Sequence, residues 1–105
     1  MPSCAFCTYA ESLLRISHCP DNYIPGILGI AEMGDLSALI APRRLIIVAG
    51  SEDTIFPIDG VRRAYAMAER VYRAAGASDR VRLVVCGGGH KFYADAGWKA
   101  VREAL

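Results

Sequence analysis

Two stretches of the chain are apolar enough, and short enough, to be strands. Residues 45–49 read LIIVA and residues 81–85 read VRLVV. A continuous apolar run of this length, rich in β-branched residues, is typical of a buried strand, and the first run is apolar at every position, as expected of a strand covered on both faces. Gly50 closes the first run and the sequence CGGG closes the second, so both strands are predicted to end there.

Segments with a helical hydrophobic period lie between the two predicted strands and after the second one. Between them, apolar residues recur every three or four positions from about residue 60 to residue 75, which predicts an amphipathic helix. Gly76 follows it, at the position where a left-handed residue commonly ends a helix. A last helix is predicted from about Tyr93 to the end of the chain, with its apolar residues on one face.

The part of the chain before the first strand is less regular. Asp35 as an N-cap and Pro42 as a stop predict a short helix over residues 36–41. Residues 1–34 show no sustained hydrophobic period, so we describe them as an irregular N-terminal segment and residues 35–105 as the ordered unit of a single domain.

The order of these elements predicts the fold class. Strands joined by a helix of this length are normally parallel, with a right-handed crossover. We therefore predict an α/β fold with two core strands and flanking helices. Two parallel strands alone would have exposed edges and one poorly covered face, so we also predict that they form the end of a larger parallel sheet.

A side chain that could be reactive follows each predicted strand. Asp53 lies in the loop after the first strand, and His90 follows three glycines after the second. Functional groups of open α/β sheets gather at the carboxyl ends of the strands, and an aspartate that orients a histidine forms the base of a hydrolase triad. An aspartate in such a loop can equally cap a helix, and a histidine can be an ordinary turn residue, so both interpretations stay open.

The loops carrying these two residues have a family resemblance. The strings AGSEDTIFP at 49–57 and GGGHKFYADAGW at 87–98 resemble the C-terminal end of α/β-hydrolases, most of all the acetyl-xylan-esterase and dienelactone-hydrolase-like branch. The string HCPDNYIPG at 18–26, with AEMGDL at 31–36 and IAPR at 40–43, resembles the segments that precede the acid strand in such proteins. The resemblance covers nearly the whole chain.

The resemblance implies specific roles. Residues 35–105 would be the C-terminal βαβα unit of a hydrolase sheet, with Asp53 as the triad acid and His90 as its base. The activity it implies is that of an esterase or deacetylase on a small ester, without a cofactor. The chain differs from the family pattern at Thr54, where proline is common, and at Lys91, where arginine is common.

The nucleophile of such an enzyme is missing from the sequence. In this fold the nucleophile precedes the acid and the histidine, and it lies in a G-x-S-x-G motif. None of the six serines has these neighbours, and the oxyanion-hole loop is also absent. We therefore expect a partial carboxylic-ester hydrolase that is inactive alone, its serine coming from a second chain or a longer gene product. The alternative is a non-catalytic binding or assembly module derived from this fold.

Four cysteines suggest a second kind of site. Cys4 and Cys7 in a C-x-x-C arrangement, with His18 and Cys19, form a set of three cysteines and one histidine that could bind zinc. The adjacent His18 and Cys19 cannot easily both turn to one metal, so we favour ordinary buried or loop thiols and predict no metal site. Cys86, four residues before His90, offers a cysteine–histidine dyad as a further alternative.

Composition limits the classes of partner. A net charge of +1 with 53% hydrophobic residues argues against disorder and against a basic nucleic-acid-binding protein. No apolar run approaches the roughly 18 residues of a membrane helix, and the first residues show no charged region followed by an apolar one, so we expect no secretory signal in them. We expect a cytoplasmic protein with reduced thiols. The high apolar content predicts self-association, or a second chain, covering the sheet edge.

Overall fold

The computed structural model describes all 105 residues, which form a mixed α/β structure. Strand β1 spans Leu45–Gly50, helix α1 Ile58–Ala74, strand β2 Val81–Cys86 and helix α2 Ala94–Ala104. Four short 3-10 helices lie at Pro20–Asn22, Ile27–Gly29, Asp35–Leu39 and Ser78–Arg80. The predicted fold class is confirmed at this level.

The two strands are adjacent and parallel. Their register places Leu45 opposite Val81 and Gly50 opposite Cys86. Helix α1 makes the connection between them, as the periodicity of residues 60–75 predicts. Because the strands are in step, they end at the same level, and the loops that follow them leave the sheet side by side.

Both faces of β1 are covered by helices. Leu45, Ile47 and Ala49 pack into a cluster with α1, whereas Ile46 and Val48 pack into a second cluster with α2. All six residues of β1 are buried, but in β2 only Val81 is. β2 is therefore the edge strand of this sheet.

Helix α1 ends just before Gly76, as the sequence predicts. Gly76 has φ +66°, its N–H donates to the Arg73 carbonyl at 3.1 Å, and the Ala77 N–H donates to the Tyr72 carbonyl at 2.9 Å. These two bonds form a Schellman motif, which requires a left-handed residue at the position of Gly76. A glycine adopts that conformation without a steric penalty.

The N-terminal segment covers the other edge of β1. The Cys4 N–H donates to the Val48 carbonyl and the Val48 N–H donates to the Pro2 carbonyl, both at 2.9 Å. Ser3 thus forms a parallel bridge with Val48. At Val48 the second edge of β1 is therefore not free, because a segment without any strand pattern pairs with it.

The short helix before β1 also differs from the prediction. It is a 3-10 helix over Asp35–Leu39 rather than a helix over residues 36–41. Asp35 lies inside it, and its carboxylate accepts a hydrogen bond from the Glu32 N–H at 3.0 Å instead of capping the helix. No helix in the structure is both long enough and apolar enough to cross a membrane.

Candidate active site

The loops after β1 and β2 are joined by backbone hydrogen bonds. The Ser51 N–H donates to the Cys86 carbonyl at 2.8 Å, and the Glu52 N–H donates to the Gly88 carbonyl at 2.9 Å. These bonds extend the parallel pairing past the end of the strands. They bring the loop that carries Asp53 against the loop that carries His90.

Gly50 makes this close approach possible. A Cβ atom at residue 50 would lie 2.5 Å from the Gly88 carbonyl oxygen and 2.6 Å from the Gly89 carbonyl oxygen. Both atoms belong to the backbone, so neither can move aside cheaply. A side chain at this position would therefore push the two loops apart.

Asp53 is buried and held at both oxygens. Its side chain is 1% exposed. Oδ1 accepts hydrogen bonds from the Ile55 N–H at 2.8 Å and the Phe56 N–H at 2.9 Å. Oδ2 lies 3.0 Å from Nδ1 of His90. The backbone thus fixes one oxygen and leaves the other for the histidine.

The environment of Asp53 favours its ionised form. Burial on its own would raise the pKa of the carboxyl, but hydrogen bonds from the Phe56 N–H, the His90 ring and the Ile55 N–H outweigh it and hold the pKa below its ordinary value of 3.8. An ionised carboxylate only accepts hydrogen bonds. Nδ1 of His90 therefore carries the proton of this bond, and in the neutral ring Nε2 is left with a free lone pair.

The His90 ring combines support with access to solvent. One face stacks on Phe56, with ring centroids 5.6 Å apart and planes 16° apart. The side chain is nevertheless 42% exposed. Since Phe56 also donates its backbone N–H to Asp53, one residue positions both members of the pair. A histidine held by a carboxylate and open to solvent can accept a proton from a bound molecule.

The N-terminal segment contributes a second layer that sequence reasoning missed. His18 contacts the Phe56 ring edge-on, with centroids 5.5 Å apart. Nε2 of His18 lies 3.1 Å from Oγ of Ser12, whose proton goes to the Ile55 carbonyl at 2.7 Å. Ser12 is completely buried and its proton is already committed. This serine–histidine contact is therefore structural and does not supply the missing nucleophile.

The structure does not bring together the four residues that the sequence offered as an alternative zinc set. Cys4 belongs to the cluster on the α2 face of the sheet, whereas Cys7 belongs to the cluster on the α1 face. His18 is engaged by Ser12, and Cys19 is exposed. Cys4, Cys7, His18 and Cys19 are therefore not brought together as one set of metal ligands.

Cys4 instead lies beside the acid–base pair. Its thiol, a carboxylate oxygen of Asp53 and a ring nitrogen of His90 all lie within 4.8 Å of one another. No local sequence pattern predicts this contact, because Cys4 is brought to the pair by the single bridge between Ser3 and Val48.

An apolar groove lies in the N-terminal segment. It has a volume of about 430 Å³ and is lined mostly by apolar residues, among them Tyr9, Leu13, Leu14, Tyr23, Ile24 and Leu28. Tyr23 connects the groove to the layer around Phe56, because its hydroxyl accepts a hydrogen bond from the His18 N–H at 3.0 Å.

Comparison with known proteins gives partial information on the class of this protein. No protein-family model and no solved structure matches the chain. Among curated proteins, "Putative hydrolase YtaP" of Bacillus subtilis (strain 168) is 31% identical over 68 residues, which are 65% of this chain and 23% of that protein. The chain thus spans about a quarter of the length of the curated relative it matches. The match supports a hydrolase-like relationship.

Proposed function

We propose that the chain carries the acid and the base of a carboxylic-ester hydrolase of the esterase or deacetylase type. Asp53 is the acid and His90 the base. The observation that carries the proposal is the 3.0 Å contact between Asp53 Oδ2 and His90 Nδ1, formed between a buried carboxylate and a ring open to solvent. The partial match to a hydrolase supports the same reaction class.

The pair has a defined role in such a reaction. Nε2 of His90 takes the proton from a serine hydroxyl as its oxygen attacks the ester carbonyl, and the Asp53 carboxylate stabilises the imidazolium that forms. The imidazolium then gives the proton to the departing alcohol. A water molecule, activated by the same nitrogen, releases the acid and restores the serine.

The serine and the oxyanion hole belong, in this proposal, to sequence outside these residues. No serine of the chain lies in a G-x-S-x-G motif, and Ser12, the one that contacts a histidine, is committed to the Ile55 carbonyl. A small ester is therefore a substrate only of the completed site, which a second chain or a longer gene product provides.

Nitrogen NMR of the histidine rings tests the pair directly. At a pH where His90 is neutral, we expect the proton on Nδ1 and a bare Nε2, and we expect Asp53→Asn to disturb this tautomer. Asp79→Ala, at an exposed carboxylate, is the control and should leave it unchanged. A ring that carries its proton on Nε2 contradicts the proposed base.

Activity completes the test. The chain alone should hydrolyse p-nitrophenyl acetate no faster than a buffer blank, and a fluorophosphonate should label none of its serines. A chimera in which it replaces the matched part of the Bacillus relative should hydrolyse the ester. Asp53→Asn should reduce its kcat by about 10³–10⁴-fold. A labelled serine in the isolated chain, or a chimera indifferent to Asp53→Asn, contradicts the proposal.

A second candidate is a binding or assembly module, in which self-association or a second chain covers the sheet edge. The specific observation is exposed apolar surface: Val85 on the edge strand is 43% exposed, and Leu14, Ile24 and Leu28 along the groove are 54–63% exposed. Native mass spectrometry separates the outcomes. A dimer disrupted by Val85→Lys supports edge-to-edge association, and a monomer at high concentration contradicts it.

A further inference from the structure

A compact set of three different metal-binding groups lies at the end of the sheet. The Cys4 thiol, an Asp53 carboxylate oxygen and a His90 ring nitrogen fall within 4.8 Å of one another. Ligand atoms around a tetrahedral zinc ion are roughly 3.3–3.6 Å apart, given bonds of about 2.0–2.3 Å. Side-chain adjustments of about an ångström would therefore bring all three groups onto one ion.

The three groups come from separate segments, and each is held in place. Asp53 keeps Oδ1 on the Ile55 and Phe56 N–H groups, and its Oδ2 faces His90, with Nδ1 of that ring 3.0 Å away. The His90 ring stacks on Phe56. Cys4 is fixed by the hydrogen bond from its N–H to the Val48 carbonyl. Such outer contacts orient metal ligands before an ion arrives.

The backbone of Cys4 gives a second, independent observation. With φ +49°, Cys4 is the one residue other than glycine in the left-handed region. Non-glycine residues adopt this conformation at an energetic cost, and strained residues concentrate where a side chain must meet a functional site. Here the strained residue is the one whose thiol faces Asp53 and His90.

We propose that Cys4, Asp53 and His90 form a binding site for Zn²⁺ or a similar soft divalent ion. One thiolate and one carboxylate neutralise the two positive charges of the ion, so the buried cluster carries no net charge. A sulfur, nitrogen and oxygen set favours zinc or cobalt over calcium and magnesium. Three protein ligands leave a fourth position, and the 42% exposed His90 side chain opens it to water.

Metal binding has a consequence for the acid–base pair. The Cys4 thiol must release its proton to the solvent when it becomes a ligand, and a neutral His90 that binds through Nδ1 must carry its one proton on Nε2. The ion also takes the place of the hydrogen bond between Asp53 and His90, so the metal-bound site cannot act as a base. Binding of metal can be measured without any hydrolase activity, and its failure would leave the proposed function standing.

Titration of the full 105-residue chain, reduced and metal-free, with Co²⁺ tests the site. We expect one equivalent to produce a thiolate-to-cobalt charge-transfer band in the near ultraviolet and the visible bands of a tetrahedral ion. One equivalent of Zn²⁺ should remove them. Absence of a stoichiometric signal would overturn the proposal.

Single substitutions identify the ligands. Cys4→Ser should abolish the charge-transfer band and weaken Co²⁺ binding by at least about tenfold. Cys86→Ser, a half-buried cysteine outside the set, and Cys19→Ser, an exposed one, are the matched controls and should keep the band. A band that survives Cys4→Ser, or disappears with Cys19→Ser, would overturn the proposal.

If Cys4→Ser does not fold, a second variant tests the proposed metal site. His90→Ala changes a partly exposed side chain, and its fold can be checked by circular dichroism. It should weaken Co²⁺ binding by at least about tenfold while the charge-transfer band of residual complex remains. Unchanged affinity in this variant would contradict the proposed site.

Discussion

Residues 45–104 contain the two strands and their helices, and residues 1–34 pack against this unit, but the two regions are organised differently. In the first region, buried side chains follow the periods of strand and helix, so that β1 and α1 share one continuous apolar cluster. In the second region the buried residues, among them Cys4, Phe6, Tyr9 and Leu13, follow no period. A large part of the core therefore depends on a segment that has no regular structure of its own.

Side chains that bind backbone groups help to hold the first 34 residues in place. Glu32 accepts hydrogen bonds from the Tyr9 N–H at 2.7 Å and the Met33 N–H at 2.8 Å, and Ser12 donates to the Ile55 carbonyl. This segment also contains the most exposed large apolar residue before β1, Ile30, at 82%. Segments with fewer buried apolar contacts open at lower free energy, so we expect the N-terminal segment to open before the sheet does.

The two regions should differ most in the stability lost when one buried aliphatic side chain is truncated in each. Ile47 is 0% exposed at the centre of the α1 cluster, whereas Leu13 is 8% exposed and borders the groove. We expect Ile47→Ala to lower the free energy of unfolding by about 4 kcal/mol and Leu13→Ala by about 2 kcal/mol in urea denaturation. Equal losses would mean that the two regions form one equally packed core.

Removal of the Asp53 carboxylate should have the next largest effect. Asp53→Ala leaves the Ile55 and Phe56 N–H groups without their acceptor, which costs about 2 kcal/mol at neutral pH. Thermal or urea unfolding measures this loss. The exposed carboxylate of Asp79 is the control, and Asp79→Ala should change the free energy of unfolding by less than about 0.5 kcal/mol.

The stability that the Asp53 carboxylate contributes should depend on pH, and the sign of this dependence follows from its pKa. The pKa of Asp53 is lower in the folded chain than its ordinary value of 3.8, so the unfolded chain binds more protons and stability rises with pH. The contribution of Asp53 is complete above pH 3.8 and is lost as the pH falls through the folded pKa. The difference between wild type and Asp53→Ala should therefore shrink in acid. A constant difference would contradict the lowered pKa.

Two glycines with positive φ, one in each region, allow a matched comparison of smaller effects on stability. Gly76 has φ +66° and Gly26 has φ +76°, and an added Cβ would meet no atom within 4 Å at either position. Alanine strains both backbones by about 1 kcal/mol. Gly76→Ala should lower global stability by this amount, but Gly26→Ala should mainly speed hydrogen exchange within residues 1–34. An equal global loss would show that the N-terminal segment unfolds together with the sheet.

The parts of the fold that could be predicted from the sequence are those governed by local rules. The periodicity of residues 60–75 and the glycine at 76 predict α1 and its end to within about two residues, because helix geometry and capping depend on neighbours in sequence. The meeting of Asp53 and His90 follows from one further rule, that parallel strands in step end at the same edge.

The remaining parts depend on contacts that no local pattern encodes. Cys4 reaches Asp53 through one bridge to Val48, and Phe56 meets His18 across a patternless segment. The alternative zinc set of Cys4, Cys7, His18 and Cys19 is not assembled for a related reason. A C-x-x-C pair binds one metal only in a turn, because an odd separation in an extended chain sends the two side chains to opposite faces. Cys4 and Cys7 contact opposite sides of the sheet.

The smallest expected effect concerns the ion pair that ties the N-terminal segment to α1. Glu11 pairs with Arg63, whose side chain is 60% exposed, and Arg82 pairs with Glu103 within the other region at 51% and 44% exposure. Exposed pairs typically contribute less than about 1 kcal/mol and weaken in salt. Double-mutant cycles with Glu11→Gln and Arg63→Met, and with Glu103→Gln and Arg82→Met, should give coupling energies below this limit for both pairs. A coupling well above it for Glu11 and Arg63, lost in 1 M salt (a Debye length of roughly 3 Å), would mean that charge rather than packing holds the N-terminal segment on the helix.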